Sequence, residues 1–324
     1  MLTSEGLQFH TGNFGVVTSA IIKAHDPLSV SVFSFNLRTS SQLPTPTFWA
    51  AVSAYFSHLI RITDAKGIGW NTINTIPPVG NASRSFTFTG QVTMPSMSVS
   101  ELDTFMSPLL AQFRALNITF APPPSQFWPT FAAYASRVPP GEGTTNNRMA
   151  SRLFPRSSFL NPSSSTAFNV TMDAVRAWVE DGGYNFHSVD YAPTLETAGY
   201  PGNDSAVNPH LREAIMHATG FDTGSYGPGV TPEMQRAQQE RLMRFAEGWR
   251  DASPSGGVYM NEANTEEPGW REAFYGDNYG RLLQIKKERD PWWVFYAVTG
   301  VGSNEWTVEG SQGLPTQQGR LCRV

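Results

Sequence analysis

The chain has 324 residues with a net charge of −4, 40% hydrophobic and 12% aromatic residues, and only 15% charged residues. That supply of apolar side chains builds a sizeable core and excludes a disordered chain, and the acidic balance suggests no nucleic-acid surface. With 28 glycines and 24 prolines the chain is rich in turns, and no apolar run reaches the roughly 18–20 residues of a membrane span.

The first predicted strand covers the apolar, β-branched stretch from Phe14 to Lys23, ended by His25-Asp26-Pro27. Val30 to Arg38 largely alternates apolar and polar residues, the pattern of a half-buried strand. Thr45 to Ile62 carries Phe48, Trp49, Val52, Tyr55, Phe56, Leu59 and Ile60 at helical spacing. Strands follow over Gly69 to Ile76 and Ser85 to Met94, then a helix from Ser98 or Ser100 with Leu102, Phe105, Leu109 and Phe113 on its buried face. Residues 121–164 are rich in Pro, Ser and Asn and read as a long surface excursion. Phe168 to Val179 reads as a helix ended by Gly182-Gly183, with strands near Tyr184 to Tyr191 and Leu211 to His217. Thr231-Pro232-Glu233 opens a helix reaching about Trp249, and a last helix runs from Asn278 to about Glu288. The order predicts an α+β fold, an antiparallel sheet with helices on one face.

Common catalytic templates are absent: no GxSxG, no Walker A loop, no HExxH and no GxGxxG after a strand. The single Cys322 excludes a disulfide within the chain. His187 and Asp190 suit either two metal ligands or a polar pair at a strand end, and no metal is expected. Glu262, Glu266, Glu267 and Glu272 cluster near Tyr259, as solvated loop acids or as acid–base groups. The start lacks the basic and apolar regions of a secretory signal, whereas sequons stand at Asn81, Asn117, Asn169 and Asn203.

The C-terminal quarter is more specific. Tyr259-Met260-Asn261-Glu262 is followed by Trp270, by Phe274-Tyr275-Gly276-Asp277-Asn278-Tyr279-Gly280-Arg281-Leu282, and by Lys286 and Asp290-Pro291. This series resembles the C-terminal segment of fungal berberine-bridge-enzyme-like flavoproteins, FAD-linked oxidoreductases of the vanillyl-alcohol-oxidase fold. Phe14 to Ser19, Ser151 to Arg156, Val207 to Arg212 and Gly302 to Trp306 resemble further stretches of the same family.

The resemblance implies a division into residues 1–25, a remnant of the FAD-binding domain with one strand; 26–255, the substrate domain; and 256–324, a C-terminal segment whose helices pack back toward the FAD side. It implies an oxidase acting on a small organic substrate, a secondary metabolite, by hydride transfer to FAD. Tyr259 or Glu262 becomes the acid–base group and Asn261 its orienter; alternatively Tyr259 and Asn261 hold the strand by hydrogen bonds. Gly15, Val16 and Val17 would approach the adenine end of FAD, or pack as an ordinary strand. Asn278 and Tyr279 would sit at the flavin edge, or cap a helix. The family's phosphate-binding loop and flavin-attaching His and Cys have no counterpart in these residues, so the expectation is an N-terminally truncated member whose FAD, if bound, is non-covalent, with a partner chain able to supply the remaining half. Full-length relatives suggest the secretory pathway; no membrane partner is expected. Two other readings stay open: a cofactor-free isomerase or cyclase, and an inactive binding remnant.

Overall fold

The computed structural model describes residues 14–16, 18–19, 24–77, 84–137, 148–198, 205–222, 229–310 and 319–324. Its centre is a seven-stranded, wholly antiparallel sheet built from β1 (Val30–Arg38), β2 (Ile68–Ile76), β3 (Ser85–Pro95), β4 (Gln126–Trp128), β5 (Arg148–Pro155), β6 (Asn185–Asp190) and β7 (Ala214–Asp222). The spatial order is β4-β1-β3-β2-β6-β7-β5. The expected α+β arrangement is thus the observed one.

One face of the sheet is apolar. Phe33, Phe35 and Leu37 of β1, Phe86, Phe88 and Val92 of β3, Ile73 of β2 and Phe186 of β6 all belong to one buried cluster. Helices α1 (Thr45–Phe56), α2 (Leu59–Asp64), α3 (Val99–Ala115), α4 (Thr166–Glu180) and α5 (Pro232–Ala252) contribute the other wall. The period of two in the strands meets the period of 3.6 in the helices, so each element buries one side. Helix α3 starts at a complete capping box between Ser98 and Glu101.

Three expectations need correction. The predicted helix Thr45–Ile62 is two helices, because at Ser57 the hydroxyl donates to the Ala54 carbonyl at 2.7 Å and competes with the helical ladder. The supposed excursion 121–164 contains β4 and the edge strand β5. The arginines of β5 suggest solvent, yet Arg148 and Arg152 are buried, and Arg152 donates to Ser253 Oγ at 2.9 Å. The predicted strand from Phe14 is irregular backbone at its described residues. Phe14 instead buries its ring in a second apolar cluster with Val258, Phe274, Tyr275, Leu282 and Val301, an arrangement that needs no strand partner.

The other face of the sheet is polar and only partly covered. It carries Trp70 and Thr72 of β2, His187 and Val189 of β6, His217 and Thr219 of β7, and Ser151 and Leu153 of β5. Cross-strand pairing sets Ser151 and His187 on either side of Thr219, and Leu153 and Val189 on either side of His217.

Candidate functional site at the open face of the sheet

The Tyr259 segment reaches this face through backbone contacts. Leu153 N–H donates to the Gly257 carbonyl at 2.8 Å, and Val258 N–H donates to Ala273 at 2.8 Å. Asn208 adds amide donation to the carbonyls of Val258 at 3.2 Å and Ala273 at 2.8 Å. Position 257 must be glycine: a Cβ there would stand 2.7 Å from His210 Cβ and 2.9 Å from the Ala273 oxygen. The segment therefore lies against the edge strand β5, and the short turn Met260–Glu262 carries Glu262 to β7.

There it meets a histidine. The Tyr259 ring stands edge-on to His217, with centroids 5.5 Å apart. Glu262 Oε2 lies 3.9 Å from His217 Nε2, and Asn261 Nδ2 donates to the Tyr259 hydroxyl at 2.9 Å. The three residues singled out as catalytic candidates are thus together, and the structure adds His217 as their common neighbour. Tyr191 borders the group; burial raises its phenol pKa, and nearby Glu262 and Tyr259 raise it further.

His187 continues the patch. Its Nδ1 lies 3.2 Å from Thr219 Oγ1, and Trp70 lies against its ring at 4.9 Å. Burial lowers the pKa of both histidines to about 4, and for His217 the neighbouring His187 adds to the effect. Both imidazoles are neutral at pH 7.

Ser151 Oγ, His187 Nε2 and His217 Nε2 are buried with no hydrogen-bond partner among the described residues. An unsatisfied buried polar atom costs about 1–3 kcal/mol, so three on neighbouring strands leave this face with unmet hydrogen-bonding capacity. His217, Thr219, Ser151 and Trp70 were missed in the sequence. The available signal was polar residues at alternate positions of otherwise buried strands. His187 and Asp190, weighed together as ligands, fall on opposite faces of β6: Asp190 accepts from Tyr55 and Asn71 inside the core. Among the described residues no cluster of three or more His, Cys, Asp or Glu side chains suits a metal.

The residues named for FAD lie elsewhere. Gly15 is half-buried and Val16 is 72% exposed, both in irregular backbone; Val17 lies outside the described residues. Asn278 Nδ2 donates to the carbonyls of Ser205 at 3.2 Å and Val207 at 2.9 Å. It makes no side-chain cap of helix α6 (Tyr279–Arg289). The Tyr279 hydroxyl donates to Asn304 Oδ1 at 2.9 Å and accepts from Gly302 N–H at 3.2 Å. Asn278 thus ties the C-terminal segment to the stretch from Ser205 to Val207, and Tyr279 ties it to the turn from Gly302 to Asn304.

Comparison with known proteins gives this face a context. The family described as "Berberine and berberine like" matches residues 258–302, which include Tyr259, Asn261 and Glu262. The bifunctional decalin synthase calF of Penicillium decumbens is 31% identical over 323 residues, covering 97% of this chain and 51% of that protein. The VAO-type flavoprotein oxidase VAO615 of Thermothelomyces thermophilus is 30% identical over 319 residues, with 97% and 51% covered. The crystal structure of VAO-type flavoprotein MtVAO615 from Myceliophthora thermophila C1 superimposes with a TM-score of 0.76 at 27% identity, over 97% of this chain and 53% of that one. Berberine bridge enzyme from Eschscholzia californica shares the fold, with a TM-score of 0.58 at 9% identity over 84% of this chain and 55% of that one. Residues 258–302 thus match the berberine-like family, the chain as a whole is similar to VAO-type FAD-linked oxidoreductases, and it spans about half the length of the curated relatives it matches.

Proposed function

We propose that this chain is the substrate-facing part of an FAD-linked oxidase, in which His217, Tyr259 and Glu262 manage the proton released as a small organic molecule is oxidised. The observation that carries this reading is the meeting of the Tyr259–Glu262 turn with a buried, neutral His217 on a face holding three unsatisfied polar atoms. FAD, when bound, supplies the hydride acceptor. Everything else falls to this chain's residues. A neutral imidazole accepts a proton, and the Glu262 carboxylate 3.9 Å away favours the imidazolium that results. Asn261 fixes the Tyr259 hydroxyl, and the Tyr259 ring fixes the His217 plane from its edge. The contacts that hold FAD come mainly from outside the described residues, and a partner chain is one source of them.

The test begins with added FAD and gel filtration of the purified chain. A retained flavin should be bleached anaerobically by benzylic or allylic alcohols, and His217→Gln and Glu262→Gln should each slow bleaching by about 10²–10⁴-fold. Unchanged bleaching in both variants would refute the assignment.

A cofactor-free cyclase or isomerase is the second reading. It is favoured by the internal engagement of Asn278 and Tyr279 and by the name of the decalin synthase relative. Absence of any retained flavin would move the weight to it, with the same residues acting by positioning and proton transfer.

A further inference from the structure

The Trp70 and His187 pair is not used by the proton-transfer group, and its hydrogen bonding fixes what it can recognise. Thr219 Oγ1 lies 3.5 Å from the His187 carbonyl, to which its hydroxyl donates, and 3.2 Å from His187 Nδ1. With its proton directed at the carbonyl, Oγ1 accepts from Nδ1–H. That assigns the Nδ1–H tautomer and leaves Nε2 with a lone pair. Nε2 is buried and makes no hydrogen bond among the described residues. Trp70 beside it is 49% exposed, an unusual position for an indole in the middle strands of a sheet. Gln91 and Val189 flank Trp70 on the neighbouring strands, and Gln91 is held by donation to the Tyr134 hydroxyl at 2.6 Å.

We infer that Trp70 and His187 form a recognition subsite for a flat unsaturated ring bearing a hydroxyl or N–H group. The indole turns aside to admit the ring and stacks on it, and His187 Nε2 accepts the ring's donor. An ether or N-methyl group at the same place leaves Nε2 unsatisfied and is discriminated against. A cationic headgroup is not what this geometry selects, because the donor must come within hydrogen-bond distance of a single buried nitrogen beside a ring face. This subsite rests on the open face being the ligand wall proposed above, but it involves no proton transfer and no flavin.

The experiment uses the whole chain without FAD, with phenol as probe and anisole as its donor-free counterpart. Nitrogen NMR of the histidine side chains, with His187 assigned through His187→Gln, should show the Nδ1–H tautomer at pH 7. Phenol should shift His187 Nε2 saturably, and anisole should bind about five- to tenfold more weakly, the ratio expected for one net hydrogen bond. Trp70→Ala should weaken phenol binding, and Thr219→Val, a near-isosteric change, should raise the population of the Nε2–H tautomer. Phenol binding is read without flavin and the proton-transfer assignment only by flavin bleaching, so failure of that assignment and failure of this subsite are read separately. An Nε2–H or doubly protonated His187 at pH 7, equal binding of phenol and anisole, or no shift with either probe would overturn the inference.

Discussion

Asp190 offers the sharpest physical test of the core. Its carboxyl is fully buried on the helix-covered face, where Oδ2 accepts from the Tyr55 hydroxyl at 3.2 Å and from the Asn71 amide, while Oδ1 has no partner. Burial raises its pKa to about 7, and hydrogen bonds from Ser188, Tyr55 and Asn71 offset only part of the effect. An unfolded aspartate titrates near about 3.9. A raised folded pKa means the native state holds its proton more tightly, so the stabilisation is complete below pH ~4 and is lost as pH rises to about 7. Three pH units at about 1.4 kcal/mol each give an upper figure of about 4 kcal/mol, of which about 2–3 kcal/mol is lost between pH 5 and 8. Asp190→Asn keeps an acceptor for Tyr55 and Asn71, and its amide can donate to Asn71 Oδ1, which is also unpartnered. The assay is denaturant unfolding of both proteins from pH 5 to 8. His187 and His217 have lowered pKa values, so their contribution is lost as pH falls from about 6.5 toward 4, the opposite direction, and it cancels between the two proteins. The variant should gain on the wild type by about 2 kcal/mol or more between pH 5 and pH 8. Parallel stability curves would refute the buried-carboxyl argument.

Gly220→Ala should destabilise by about 1–3 kcal/mol in the same unfolding assay, because the added Cβ would fall 2.2 Å from Trp178 Cζ2, whose ring is pinned between Tyr184 and Trp249. Lys286→Met should cost about 3–5 kcal/mol, since it leaves buried Asp290 without the ammonium now 2.7 Å from its Oδ2; the double variant Lys286→Met with Asp290→Asn should recover part of that loss. Ser98→Ala should lower the melting temperature by a few degrees, matching about 1 kcal/mol for one lost capping box.

Much of this architecture was legible along the chain because it is set by local periodicity. Val30–Arg38, Ser85–Pro95 and Thr166–Glu180 each show one apolar side within their own residues, and Ser98 and Gly183 mark ends through their own backbone chemistry. The motif around Tyr259, Asn261 and Glu262 was likewise contiguous, so both its place and its family were readable. Strand β5 was hidden because Arg148 looks solvated until Gln238 accepts from it, and Arg152 until Ser253 and Glu267, each about a hundred residues away, supply its surroundings.

The site itself was decided in three dimensions. His217 is one polar residue in a buried strand until the register of β6, β7 and β5 sets it between Val189 and Leu153, and until the turn after Gly257 brings Glu262 to within 3.9 Å. His187 and Asp190 are three residues apart in sequence, yet the pleat sends one to the polar face of the sheet and the other into the aromatic core. Sequence carries the face each residue takes within its own element; only the pairing of distant strands determines which faces meet, because cross-strand neighbours are chosen by packing over long separations.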